Sequence, residues 1–156
     1  MEIVLFEPEI PQNTGSIART CAATGTPLHL VGKLGFDISE KAVRRAGLDY
    51  WPYVSLHQHE TFDDYLNFSK PERLWLFEPQ GKAIYHEAKF QERDALIFGR
   101  ETTGLPREII DRFDNSVLLQ IPIVCSGVRS LNLSNAVAVA LYEAIRQVGF
   151  PRGLNP

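Results

Sequence analysis

A chain of 156 residues is long enough to bury one substantial core and too short for two, so a single domain spanning Met1–Pro156 is expected. Apolar residues at 44% and charged residues at 22% are ordinary for a globular protein, and no apolar run approaches the roughly 20 residues that span a bilayer, so no membrane association is expected. A formal net charge of -3 argues against a general polyanion binder, whose affinity comes from Lys and Arg displacing counterions, but leaves room for a local basic patch.

The first residues, Met1 to Phe6, carry no basic segment and no cleavable apolar stretch, because Glu7, Pro8 and Glu9 interrupt them at once. Short apolar runs predict buried strands over residues 3–6, 28–31, 74–77, 95–98 and 117–121, with a further strand near 51–56. Helices are expected over 15–24, behind an Asn13-Thr14 cap, over 39–46 and over 61–68, with a short turn starting at Pro106. Strands alternating with helices define an α/β fold with a mostly parallel sheet flanked by helices. The last helix, 133–148, is apolar nearly all round at Leu133, Ala136, Val137, Ala138, Val139, Ala140 and Leu141, which predicts enclosure on most sides. Gly149 and Pro151 then supply stop signals.

Lys33, Lys41, Arg44 and Arg45 concentrate positive charge in one stretch; on charge alone a solvated helix face is the plainer reading. Cys21 and Cys125 form neither a CxxC pair nor a disulfide framework, so free thiols in a reducing, cytoplasmic compartment are expected. No His is tied to Cys125 by a recognisable spacing, and a small buried hydrophobe is expected there. His57 and His59 have no carboxylate or thiol pattern beside them, so they read as a surface loop, and no metal site is expected.

Three loops rich in glycine and polar residues each follow an apolar run: Pro11-Gln12-Asn13-Thr14-Gly15, Gly99-Arg100-Glu101-Thr102-Thr103-Gly104 and Ser126-Gly127-Val128-Arg129-Ser130-Leu131-Asn132. In α/β sheets ligands bind beyond the carboxyl ends of strands, so a site belongs here. There is no GxGxxG motif, and the Gly99 to Gly104 spacing is followed by Leu105-Pro106 where a phosphate loop requires Lys and Ser or Thr. Dinucleotide and triphosphate binding are therefore unsupported.

Taken in order, the loops resemble the three motifs of the SPOUT methyltransferase superfamily. The segment from Asn13 to Arg19 is similar to the first, Leu96 to Pro106 to the second, and Ile121 to Ala136 to the third. The likeness runs the full length of the chain. Leu5-Phe6-Glu7-Pro8-Glu9-Ile10-Pro11 and Arg44-Arg45-Ala46-Gly47-Leu48-Asp49-Tyr50 further resemble the compact TrmL/YibK-like group of tRNA 2'-O-ribose methyltransferases. The resemblance implies S-adenosyl-L-methionine as cofactor, S-adenosyl-L-homocysteine as product, and methylation of the wobble ribose, at position 34, in the tRNA anticodon stem-loop. It also implies a homodimer and a C-terminal deep trefoil knot, which the general rule that chains do not knot would reject.

The same resemblance implies cofactor contacts near Phe77, Gly99, Gly104, Ile121, Ser130 and Leu131, and makes Lys41, Arg44 and Arg45 the expected RNA-binding residues. Gly99 would let backbone approach a ligand closely, although a plain turn glycine is an equal reading for it and for Gly104. Arg19 is the expected catalytic residue; a guanidinium keeps its proton, so its physical role is to clamp phosphate and stabilise charge on the attacking oxygen. Proton acceptance then falls to phosphate, water or Glu101, while Asn13, Ser130 and Asn132 orient ribose or the methionine tail. Read alone, Arg19 is a surface ion pair and Asn13 a helix cap. The alternatives are a noncatalytic RNA-binding or ribosome-assembly factor on the same fold and, further down, a small hydrolase using Ser130 or Cys125.

Overall fold

The computed structural model describes residues 1–38 and 49–150. The expected helix over 39–46, with Lys41, Arg44 and Arg45, lies outside the described residues.

Seven strands, β1 (Glu2–Phe6), β2 (Leu28–Val31), β3 (Leu56–His59), β4 (Arg73–Phe77), β5 (Ala83–Ile84), β6 (Asp94–Phe98) and β7 (Leu118–Gln120), form one sheet. Their order is β3-β2-β1-β6-β4-β7-β5, and every pairing is parallel. The central strands are mainly apolar because both of their faces are covered; all five residues of β6 and all four of β2 are buried, His29 and Asp94 among them. On one face Ile3, Leu5, Leu28, Leu30, Leu96 and Phe98 pack under the helices α1 (Pro11–Thr24) and α4 (Leu133–Val148). On the other, Val4, Val31, Leu76, Ala95 and Ile97 pack under α2 (Phe62–Ser69) and the short α3 (Arg107–Ile110).

The element boundaries follow local chemistry. Helix α1 begins at Pro11 rather than Gly15, since proline in the first turn presets φ and gives up an N–H that would have no helical partner. Asn13 therefore lies inside the helix and caps nothing, while Gly25 closes the helix at φ 66°. Helix α2 opens on a capping box: the Thr61 hydroxyl accepts from the Asp64 N–H, and the Asp64 carboxylate accepts from the Thr61 N–H. The strand expected near 51–56 is displaced. Trp51–Tyr53 forms a single 3-10 turn around Pro52, and the strand runs Leu56–His59 at the sheet edge.

His57 and His59 consequently sit on β3, not in a loop. They stack on the buried His29 of β2 at ring-centroid distances of 4.9 and 5.2 Å. Cys125 is exposed, contrary to expectation, because the segment after β7 is exposed almost throughout; Cys21 is the buried thiol. Helix α4 is also less enclosed than its composition predicts. It buries Val137, Ala140, Leu141, Ala144 and Ile145, but Val139 and Tyr142 remain 39% and 49% exposed within the chain.

Candidate active site at four adjacent strand ends

The sheet order makes β1, β6, β4 and β7 neighbours, so the segments leaving their carboxyl ends share one rim. The three loops singled out in the sequence follow β1, β6 and β7. The fourth segment, after β4, begins at Glu78.

The loop after β6 is a closed hairpin-like turn. Arg100 and Gly104 exchange backbone hydrogen bonds of 3.1 and 2.9 Å, and Gly104 takes φ 70°, a left-handed conformation that favours glycine. Gly99 serves this closure: a Cβ there would lie 2.1 Å from the carbonyl carbon of Gly104 and 2.2 Å from the Leu105 nitrogen. The close approach that requires glycine is thus to the loop's own backbone.

Carboxylates brace this loop from both neighbouring strands. Glu7, at the end of β1, pairs with Arg100, and Gly32 leaves the room that the Glu7 side chain occupies. Glu78, at the end of β4, accepts from the Leu105 N–H at 2.7 Å. Burial pushes the Glu78 carboxyl above its ordinary range, and the Leu105 hydrogen bond partly opposes that shift. Both braces are the middle residue of the same tripeptide, Phe6-Glu7-Pro8 and Phe77-Glu78-Pro79. A third pair links the loop to α1: Glu9 accepts from Thr102 N–H and hydroxyl at 3.1 and 2.7 Å, and Glu101 accepts from the Glu9 and Ile10 N–H groups at 2.8 and 3.2 Å.

Three of the expected catalytic residues form one chain of hydrogen bonds. The Asn13 amide donates to Glu101 at 3.0 Å, and its carbonyl oxygen accepts from the Asn132 amide at 2.8 Å. The Asn132 carbonyl oxygen in turn accepts from the Ser134 N–H and caps α4. Glu101 receives N–H donors from Glu9, Ile10 and Asn13 together, so its carboxylate ties the segment before α1 to the loop after β6. Beside Asn13, the buried Thr14 hydroxyl has no hydrogen-bond partner among the described residues.

The expected cofactor contacts fall on the same rim. Phe77 and Phe98 stack at 4.7 Å at the ends of β4 and β6, Ile121 follows β7, and Ser130 and Leu131 precede α4 on an exposed segment. Among the described residues, the segment 121–131 is closed by one internal backbone bond, from Val128 N–H to the Cys125 carbonyl. Its remaining N–H and C=O groups, with the apolar Ile121 and Leu131, fit an uncharged adenosine, which needs backbone partners and flat apolar walls.

Arg19 stands apart. It is exposed, its guanidinium lies 4.6 Å from the Tyr50 ring centroid and 3.9 Å from Asp49, and no hydrogen bond or ion pair among the described residues joins it to Asn13, Glu101 or Asn132. Neither Tyr50 nor the carboxylate braces were expected from the sequence as parts of the site.

A parallel sheet whose loops gather at the carboxyl ends of adjacent strands defines an α/β protein, the class that binds ligands at that rim. Residues 1–142 match the family described as SpoU rRNA Methylase, and the chain belongs to that family. It is 51% identical over 150 residues to the tRNA (cytidine(34)-2'-O)-methyltransferase of Saccharophagus degradans, covering 95% of this chain and 96% of that one. A solved structure described as giving insights into 2-OH methylation of C/U34 on tRNA is 49% identical, with a TM-score of 0.83 and 94% of each chain covered. An AdoMet-bound rRNA methyltransferase from Sinorhizobium meliloti is 25% identical, with a TM-score of 0.76 over 93% of this chain and 55% of that one.

Proposed function

We propose that this protein is a tRNA 2'-O-ribose methyltransferase that acts on nucleotide 34 of the anticodon stem-loop. The observation that carries this reading is the end-to-end match, at 51% identity, to a relative named for that reaction. The noncatalytic alternative is disfavoured because the Asn13–Glu101–Asn132 chain and the braced Gly99 loop form a built site rather than a bare basic surface.

The cofactor is S-adenosyl-L-methionine, which supplies an electrophilic methyl group and leaves as S-adenosyl-L-homocysteine; no metal takes part. Phe77, Gly99, Gly104, Ile121, Ser130 and Leu131 form its pocket. The Glu101–Asn13–Asn132 chain fixes the loops that frame it, and Ser130 and Asn132 orient the methionine tail or the ribose. Arg19 clamps an RNA phosphate and stabilises negative charge on the ribose oxygen, whose proton passes to phosphate or water. Lys41, Arg44 and Arg45 hold the anticodon stem. The reaction belongs to the cytoplasm, where tRNA is found.

The working form is a homodimer. Its support is the apolar surface left on the chain: Val139 and Tyr142 of α4, with Leu131 and Phe150 at either end of that helix, are 38–57% exposed. Arg19, far from its own chain's polar network in bonding terms, serves the pocket of the partner. The fold closes in a C-terminal trefoil knot. Its support is membership of the SpoU family together with the likeness of the three loops to the SPOUT motifs.

The test uses methyl-labelled S-adenosyl-L-methionine and an anticodon stem-loop RNA. A ribose 2'-O-methyl group protects the adjacent phosphodiester from alkali, so an alkali-resistant dinucleotide containing nucleotide 34 is expected. Label in an alkali-labile nucleotide, or none, overturns the reading.

A further inference from the structure

We propose that Tyr50 is a positioning residue for Arg19, holding its guanidinium in place before RNA arrives; this rests on the functional reading above. Arg19 has few constraints of its own. Its side chain is 64% exposed, and its ionic partner Asp49 is 89% exposed and 3.9 Å away, a pair that water screens. A long exposed arginine held only by such a pair samples many rotamers, and each must be given up when a phosphate is clamped.

The Tyr50 ring supplies the missing constraint. The Arg19 guanidinium carbon lies 4.6 Å from the ring centroid, within the range of a cation over an aromatic face. The ring is itself pinned: its hydroxyl donates to the Gly15 carbonyl at 2.7 Å. Gly15 and Arg19 are one helical turn apart on the same face of α1, so the ring lies along that face, fixed at one end and covering the cation at the other. Gly15 leaves the approach open, since even a Cβ there would stand 3.6 Å from the Tyr50 oxygen. Burial pushes the Tyr50 phenol above its ordinary value and the Arg19 charge draws it part of the way back, so the hydroxyl stays protonated and able to donate.

The geometry separates two parts of the side chain. The ring face holds Arg19, and the hydroxyl holds the ring. Tyr50→Phe keeps the first, and Tyr50→Leu removes both.

Single-turnover methyl transfer to anticodon stem-loop RNA at saturating S-adenosyl-L-methionine tests this, with calorimetric affinity for that cofactor and the thermal midpoint measured on each variant. Tyr50→Leu should lower the rate by about 10- to 100-fold, the scale of a misplaced catalytic group, with cofactor affinity unchanged. Tyr50→Phe should stay within about threefold of wild type, because the cation still meets a ring. A Leu variant as fast as wild type, or Phe and Leu variants equally slow, would overturn the proposal; the second outcome would make the hydroxyl a structural tie and nothing more. A second measurement needs no substrate and no Leu variant. In the free wild-type protein, NMR should find the Arg19 δ-methylene protons shifted upfield by the Tyr50 ring current, and random-coil positions for them overturn the pairing. If wild-type protein methylates no tRNA, the functional reading falls while this NMR measurement still decides whether Tyr50 holds Arg19.

Discussion

At the scale of single residues, the centre of the site is a row of uncharged amides set against one carboxylate. Asn13 is 6% exposed and meets Glu101 with a donor and Asn132 with an acceptor at once. Asn13→Ala should cost about 1–3 kcal/mol of stability, the range for a buried partner left unmatched. Asn13→Asp should be worse although it is nearly isosteric, because it sets a second carboxylate against Glu101. Thermal denaturation of the two variants checks this order, and an aspartate variant as stable as the alanine one would refute it. Glu101→Gln tests the role of that carboxylate directly. A strut that accepts three N–H donors should show reduced stability and reduced rate with the pH profile of methyl transfer unmoved, whereas a proton acceptor would lose its limb of that profile.

Elements report how far a sequence can be read. Strands β1, β2, β4 and β6 were legible because each is mainly a short apolar run, and α4 was legible from its dense apolar residues with Gly149 as the stop signal. The two-residue β5 has no period to detect, and β3 alternates histidine with Leu56 and Gln58 on an edge where, among the described strands, β2 alone pairs with it. The three site loops were legible from glycine and polar composition, but the braces were not: Glu7 and Glu78 come from strands distant in sequence and meet the Gly99 loop only through the sheet order. Two predictions belong at this scale. Thr61→Ala removes the capping hydroxyl of α2 and should lower stability by about 1 kcal/mol in chemical denaturation. The edge between β1, β2 and β3 should also make stability fall with acid in two stages. Burial first, and then the neighbouring His29, lower His57 and His59 below their ordinary value of 6.5, so the unfolded chain binds more protons and stability drops as pH passes below that value. Burial alone would raise Glu2, but hydrogen bonds from His29, Ser69 and Tyr65 overcome it and hold the carboxyl at about 2; that stabilisation is complete above 4.5 and lost as pH falls toward 2. Denaturation midpoints across pH 2–8 check both stages, and replacing His57 and His59 with Gln should remove the upper one only.

For the whole molecule, the exposed Val139 and Tyr142 and the outlying Arg19 make one joint prediction about assembly. Substituting Glu for both Val139 and Tyr142 should convert a dimer into monomers in sedimentation and abolish methyl transfer. Arg19→Ala and Gly99→Val chains, each inactive alone, should recover roughly a quarter of wild-type activity after random reassembly, since half the dimers are mixed and each then has one intact site of two. Zero recovery would show that Arg19 serves its own chain. The lodging of β7 between β4 and β5 also bears on how the chain is made. Residues 118–120 are synthesised after both of the strands they separate, and β5 is joined to the sheet through β7, so that edge of β4 stays unpaired on a nascent chain until β7 emerges. A ribosome stalled before β7 would therefore carry a β4 edge open to any passing strand.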